Sequence, residues 1–146
     1  MEQLIQMLHS IPEYNTLLGG ISSGKSAAVT GIGQINRSHL IAGLCRDAKH
    51  PVVILCQDDI AARRLQEDLK DFLSETVPIL PGRELTLYDA SAVSRSWEQK
   101  RIGQLYALAH GETPVQIFTW ESLSLRTMPP QVLNAAAFTL EVGKEY

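Results

Sequence analysis

The chain is 146 residues long with a formal net charge of −3; 45% of it is hydrophobic and 20% charged. That length suits one domain with a substantial core, and the charge supplies no global field to draw the molecule onto nucleic acid. No stretch approaches the roughly 20 apolar residues of a membrane span, and the opening Met1-Glu2-Gln3-Leu4 lacks the basic and apolar regions of a secretion signal. The expected location is therefore cytoplasmic, with no membrane partner.

Residues 1–18 read as helical: Leu4, Ile5, Leu8 and Ile11 trace one stripe, and Pro12 breaks or restarts it. Residues 19–26, rich in Gly and Ser, read as a flexible connector to an α/β domain over residues 27–142. A strand is expected at 27–30, then a glycine turn, then a helix over 36–48 with Leu40, Ile41, Leu44, Cys45 and Ala48 on one face. His50-Pro51 ends that helix and launches Val52-Val53-Ile54-Leu55-Cys56. Such a continuous apolar run is typical of a strand buried on both faces of a parallel sheet.

Asp58-Asp59 opens a long helix with Ala61, Leu65, Leu69 and Phe72 facing inward. Its outer face carries Arg63–Glu67 and Arg64–Asp68 as i,i+4 pairs, the pattern of a solvated surface. Residues 77–80 read as a short strand and 81–93 as an extended loop. Ser96 and Gln99 fit a capping box for a helix that buries Ile102, Leu105, Tyr106 and Ala109 and stops at His110-Gly111. A fourth strand at 115–119, a short helix at 121–126, a break at Pro129-Pro130 and a final strand at 136–142 complete the pattern. This alternation predicts an open, mostly parallel sheet with helices on both faces. Residues 143–146 follow the last strand without a closing helix, as the end of a truncated fragment would.

Two stretches compete as phosphate loops. Residues 19–26 satisfy G-x-x-x-x-G-K-[ST], which would place Gly19, Gly24, Lys25 and Ser26 around a nucleotide, with Lys25 on the phosphates and Ser26 on Mg²⁺. That chemistry needs a buried strand before the loop and a helix N-terminus after it, and the flanking residues offer neither. Seven residues on the context is right but the letters differ. Thr30-Gly31-Ile32-Gly33-Gln34-Ile35 lies between a strand and a helix, with Gln34 and Ile35 where Lys and a hydroxyl should stand. A loop without the lysine counter-charge and the Mg²⁺ ligand is a degenerate nucleotide loop. No acidic residue after a later strand is a convincing Mg²⁺ ligand: Asp58, Asp59 and Glu121 sit where helices begin and serve caps and dipoles.

No hydrolytic arrangement emerges, so no catalytic residue is assigned. His9, His39, His50 and His110 are scattered, with His50 and His110 at helix ends. Cys45 and Cys56 read as buried free thiols with no nearby Cys or His at metal-ligand spacing, and no metal site is assigned. Trp97 and Trp120 read as packing anchors. The loop that starts at Pro81 carries Arg83, Glu84, Tyr88 and Asp89, and two readings stand open: contact with a partner, or Arg83 pairing with Glu84 or Asp89 to pin the loop.

Leu80-Pro81-Gly82-Arg83-Glu84-Leu85-Thr86-Leu87-Tyr88-Asp89, followed by Ser94-Arg95-Ser96-Trp97-Glu98-Gln99-Lys100-Arg101, resembles the N-terminal region of the bacterial transcription-repair coupling factors (Mfd). The resemblance continues through Leu105-Tyr106-Ala107-Leu108 and 115–124 to Val142-Gly143. It implies a helicase-like fold, the first half of a split domain 1a like that of the excision-repair protein UvrB. Ala28-Val29-Thr30-Gly31-Ile32-Gly33 falls where UvrB carries its nucleotide loop, and the family has lost nucleotide binding there. By the same resemblance, residues 143–146 begin a second domain that recruits UvrA. The parent protein would be an ATP-dependent DNA translocase that uses ATP and Mg²⁺ and meets RNA polymerase and DNA. This chain, by contrast, is expected to need no cofactor, to catalyse nothing, and to serve UvrA recruitment and autoinhibitory packing against the rest of its own protein. The alternative is a small P-loop NTPase or kinase using residues 19–26.

Overall fold

The computed structural model describes residues 2–82, 95–138 and 142–144. Seven helices and two strands are described: α1 (Glu2–Gln6), α2 (Pro12–Ser22), α3 (Gln34–Asp47), β1 (Val52–Cys56), α4 (Asp59–Leu73), α5 (Arg95–Ala109), β2 (Val115–Thr119), α6 (Trp120–Ser124) and α7 (Pro130–Ala136). A 3-10 turn, Met7–Ser10, joins α1 to α2. Pro12 restarts the helix at its first position, where a missing N–H costs nothing.

β1 and β2 pair in parallel, Val52 against Val115 through Cys56 against Thr119. The expected strand at 77–80 is present as a single bridge, Ile79 to Ile117. Two hydrogen bonds hold it, Leu80 N to Ile117 O and Ile117 N to Pro78 O, each at 2.9 Å. β2 therefore lies between β1 and this segment. Side chains alternate across the pleat. Val52, Ile54, Val115 and Ile117 point to one face, where Ile5 of α1, Ala42 of α3, and Ala62 and Leu69 of α4 complete the core. Val53, Leu55, Gln116 and Phe118 point to the other. α5 reaches that second face over β2, bringing Gln104 Oε1 to 3.4 Å from Gln116 Nε2.

The parallel, mixed α/β character expected from the sequence is present, and several elements differ from expectation. Residues 25–30 are exposed coil rather than a strand, and no ladder takes them up. Gly19 and Gly20 belong to α2 rather than to a connector. α7 runs through Ala136 and is followed by exposed coil at Ala137 and Phe138, so the described part of the final strand is not extended sheet. α5 already includes Arg95, which places Ser96 inside its first turn instead of at a cap. β1 is not buried on both faces: Val53 and Leu55 are 59% and 44% exposed.

The N-terminal helices dock where α3 has no side chain. A Cβ on Gly43 would stand 2.4 Å from Leu8 Cδ1 and 3.0 Å from Tyr14 Oη. Glycine thus admits both side chains, and Tyr14 Oη donates to Asp47 Oδ2 at 2.5 Å while His9 Nε2 lies 3.3 Å from the same oxygen. Burial, then the Asp47 hydrogen bond and charge, raise the Tyr14 pKa above its ordinary value.

Candidate functional site

In open parallel sheets ligands meet the carboxyl ends of the strands, and here those ends form two neighbouring features. At the end of β1, α3 and α4 flank a cavity of about 380 Å³. Its floor includes Ile41, Ile54, Ala61 and Leu65; Gln34, Arg37, Gln57 and Arg64 stand around it. Asp58 caps α4, accepting from Ala61 N at 2.8 Å, as the sequence suggested for that position. Asp68 was expected to pair with Arg64; instead its Oδ2 accepts from Ser38 Oγ at 2.6 Å, because Ser38 is the buried face of α3 opposite it. Arg63 Nε donates to Asp59 Oδ2 at 2.6 Å, one turn back. Among the described residues neither Arg37 nor Arg64 makes an ion pair.

The second feature lies at the ends of β2 and of the segment beside it. Arg101 of α5 is 5% exposed, with Nη1 donating to Pro81 O at 2.7 Å and Nη2 to Ser122 O at 2.9 Å. Burial pulls its pKa below the ordinary guanidinium value, yet arginine remains charged in proteins. One turn earlier, Trp97 Nε1 donates to Gly82 O. Two side chains of α5 thus clamp the two carbonyls from which the 83–94 segment departs. Thr119 and Ser122 form a reciprocal capping box at the start of α6. Sequence periodicity missed Arg101, because a stripe reading assigns the buried face to apolar letters; Ile102, assigned there, is exposed. The signal available was the i,i+4 spacing of Trp97 and Arg101, a donor pair on one helix face.

The two phosphate-loop registers fall at opposite ends of helices. Gly19 lies in the last turns of α2, and Gly24 takes φ +73° just beyond its end. Lys25 N donates to Gly20 O at 3.0 Å and Gly24 N to Ile21 O at 2.9 Å. This is a Schellman cap, in which the backbone N–H groups a phosphate would need are engaged with helix carbonyls. The helix end there carries the negative end of the dipole. Lys25 and Ser26 follow it as exposed coil. The second register does lead into a helix N-terminus: Gly31 takes φ +78°, Gly33 is the N-cap of α3, and Gln34 and Ile35 open its first turn. Thr30 and Gly31 are exposed, Ile32 is half-buried, and Gln34 lines the cavity. Arg83, Glu84, Tyr88 and Asp89 lie outside the described residues.

The chain is similar to a transcription-repair-coupling factor of Myxococcus xanthus. The two are 26% identical over 134 residues, which is 86% of this chain and 11% of that protein. The chain therefore spans about a tenth of the length of this relative. No family model matches the sequence, and no solved structure matches it.

Elsewhere chemistry is sparse. Cys45 is half-buried and its thiol pKa is pushed up to about 11 by burial; that of Cys56 is raised by burial and then by the Asp58 charge. Both are therefore thiols at neutral pH, not nucleophilic thiolates. His110 Nδ1 meets Tyr106 O at 2.9 Å and its ring stacks on Tyr106, closing the last turn of α5. Among the described residues no group of three or more His, Cys, Asp or Glu is placed to hold a metal ion. No described helix is long and apolar enough to cross a membrane.

Proposed function

We propose that this chain is a non-catalytic scaffold belonging to a transcription-repair coupling factor, in which it supports UvrA recruitment and packs against the rest of its own protein to restrain the motor. The observation that carries the reading is the similarity to the Myxococcus coupling factor over 86% of the chain. On this reading, Thr30–Ile35 is the remnant of a nucleotide loop, and its RNA polymerase, DNA, ATP and Mg²⁺ partners belong to other parts of the parent protein. Two features of the molecule agree with it. The intact signature around Lys25 is folded as a helix C-terminal cap, and the loop that does enter a helix N-terminus carries Gln34 and Ile35 in place of the lysine and hydroxyl.

The test replaces the aligned region of a coupling factor with this chain. The chimera is expected to capture purified UvrA and to keep the low resting ATPase of the parent. A folded chimera that loses UvrA capture and hydrolyses ATP no differently from a motor lacking the region would overturn the scaffold reading. In parallel, the isolated chain is titrated with fluorescent ATP and Mg²⁺. No saturation is expected below about 1 mM, a free energy of only about −4 kcal/mol; tight binding abolished by Lys25→Ala would favour a P-loop NTPase.

A further inference from the structure

We propose that the groove between α3 and α4 is a docking site for an acidic peptide segment carrying at least one apolar side chain. The inference stands on the groove itself and does not depend on the coupling-factor reading. Its acids are engaged within the fold: Asp58 holds the start of α4 at 2.8 Å, and Asp68 holds Ser38 of α3 at 2.6 Å. Its cations are not. Arg37 on α3 and Arg64 on α4 stand on opposite walls of the same cavity, each without an acidic partner among the described residues. Each guanidinium presents a planar fork of N–H donors that matches a carboxylate.

The α4 wall also carries an apolar side chain. Ile60, in the first turn of α4, is 64% exposed. It lines the cavity together with Ile41, Ile54 and Leu65. A free phosphate would engage the arginines and leave Ile60 in water. A peptide with carboxylates flanking an apolar side chain answers both features at once, with the guanidinium forks orienting the carboxylates and the apolar contact holding it. A volume of about 380 Å³ fits a few side chains. The occupant is therefore a short extended or single-turn segment.

The experiment is fluorescence anisotropy of a short fluorescein-labelled peptide alternating glutamate and leucine, titrated with the 146-residue chain. Saturable binding is expected, weakening as salt is added. The same peptide with glutamine for glutamate, and the chain carrying both Arg37→Glu and Arg64→Glu, should each bind about tenfold more weakly or worse. Ile60→Ser should weaken binding without the double variant's change in salt dependence. All three positions are exposed, and circular dichroism should show the variants folded. Three results would overturn the proposal: no saturable binding, equal binding by the double-arginine variant, or tighter binding of a single-stranded oligonucleotide that uses the same arginines. The last would make the groove a phosphate site.

Discussion

β1 and β2 are equal in length and paired residue by residue, and the less hydrophobic of the two is the more deeply buried. β2 reads Val-Gln-Ile-Phe-Thr and all five residues are buried, two of them polar. β1 reads Val-Val-Ile-Leu-Cys, yet Val53 and Leu55 face solvent. The difference is position. β2 has a backbone neighbour on each side, α4 against one face and α5 against the other. Among the described residues β1 has a strand neighbour on one side only. Apolar content makes a strand suited to burial, but coverage by other elements decides whether it happens. Coverage has its own cost: Gln116, 1% exposed on β2, donates to Pro78 O at 2.9 Å while its Oε1 has no partner among the described residues.

Substitution should separate the two strands sharply. Ile117→Ala on β2, where the side chain is fully buried, should cost about 3–4 kcal/mol in urea unfolding. Val53→Thr, on the open face of β1, should stay within about 0.5 kcal/mol. A large loss at Val53 would mean that its face is covered in solution, and the comparison would fail. The clamp at the carboxyl end of β2 comes next. Arg101→Ala leaves Pro81 O and Ser122 O without their donor and should cost about 2–3 kcal/mol. A loss under about 0.5 kcal/mol would show that water replaces the guanidinium freely.

The two faces of β1 can be compared within one strand. Cys56 points to the covered side, and Leu55→Cys would place a thiol on the open one. Maleimide should modify the introduced thiol about tenfold faster or more, since both burial and a raised pKa suppress the native one. Comparable rates would mean the sheet opens readily at this margin. The same burial gives the smallest and most general effect, on pH. Unfolded thiols ionise near about 8.5, whereas burial pushes Cys45 up to about 11, and Cys56 and Tyr14 are raised too. The folded chain keeps protons that the unfolded chain releases. The contribution of these groups to stability is therefore level below about 8.5 and falls as pH rises toward about 11. Urea midpoints on either side of that window should show the fall, reduced in Cys45→Ala.

Local sequence determined much of this molecule. The bounds of β1 and β2, the restart at Pro12, the Asp58 cap and the glycine stop after α5 all follow from signals within a few residues of where they act. The competing phosphate-loop registers were also visible as letters, and the weakness of the first showed in its flanks. What local pattern could not give is anything settled by a distant neighbour. Residues 27–30 have strand-like letters but pair with no described strand; Gly43 looks like an ordinary helical glycine until Leu8 and Tyr14 arrive against it. Asp68 turns to Ser38 rather than to Arg64 because a second helix packs there. That choice leaves Arg64 without an acidic partner among the described residues, on the same groove as Arg37. Capping and turn preferences are intrinsic to a short stretch of chain, and the sequence alone carries them. Burial, and the pairing of charges across elements, depend on contacts between residues far apart in the chain, and only the tertiary structure decided them.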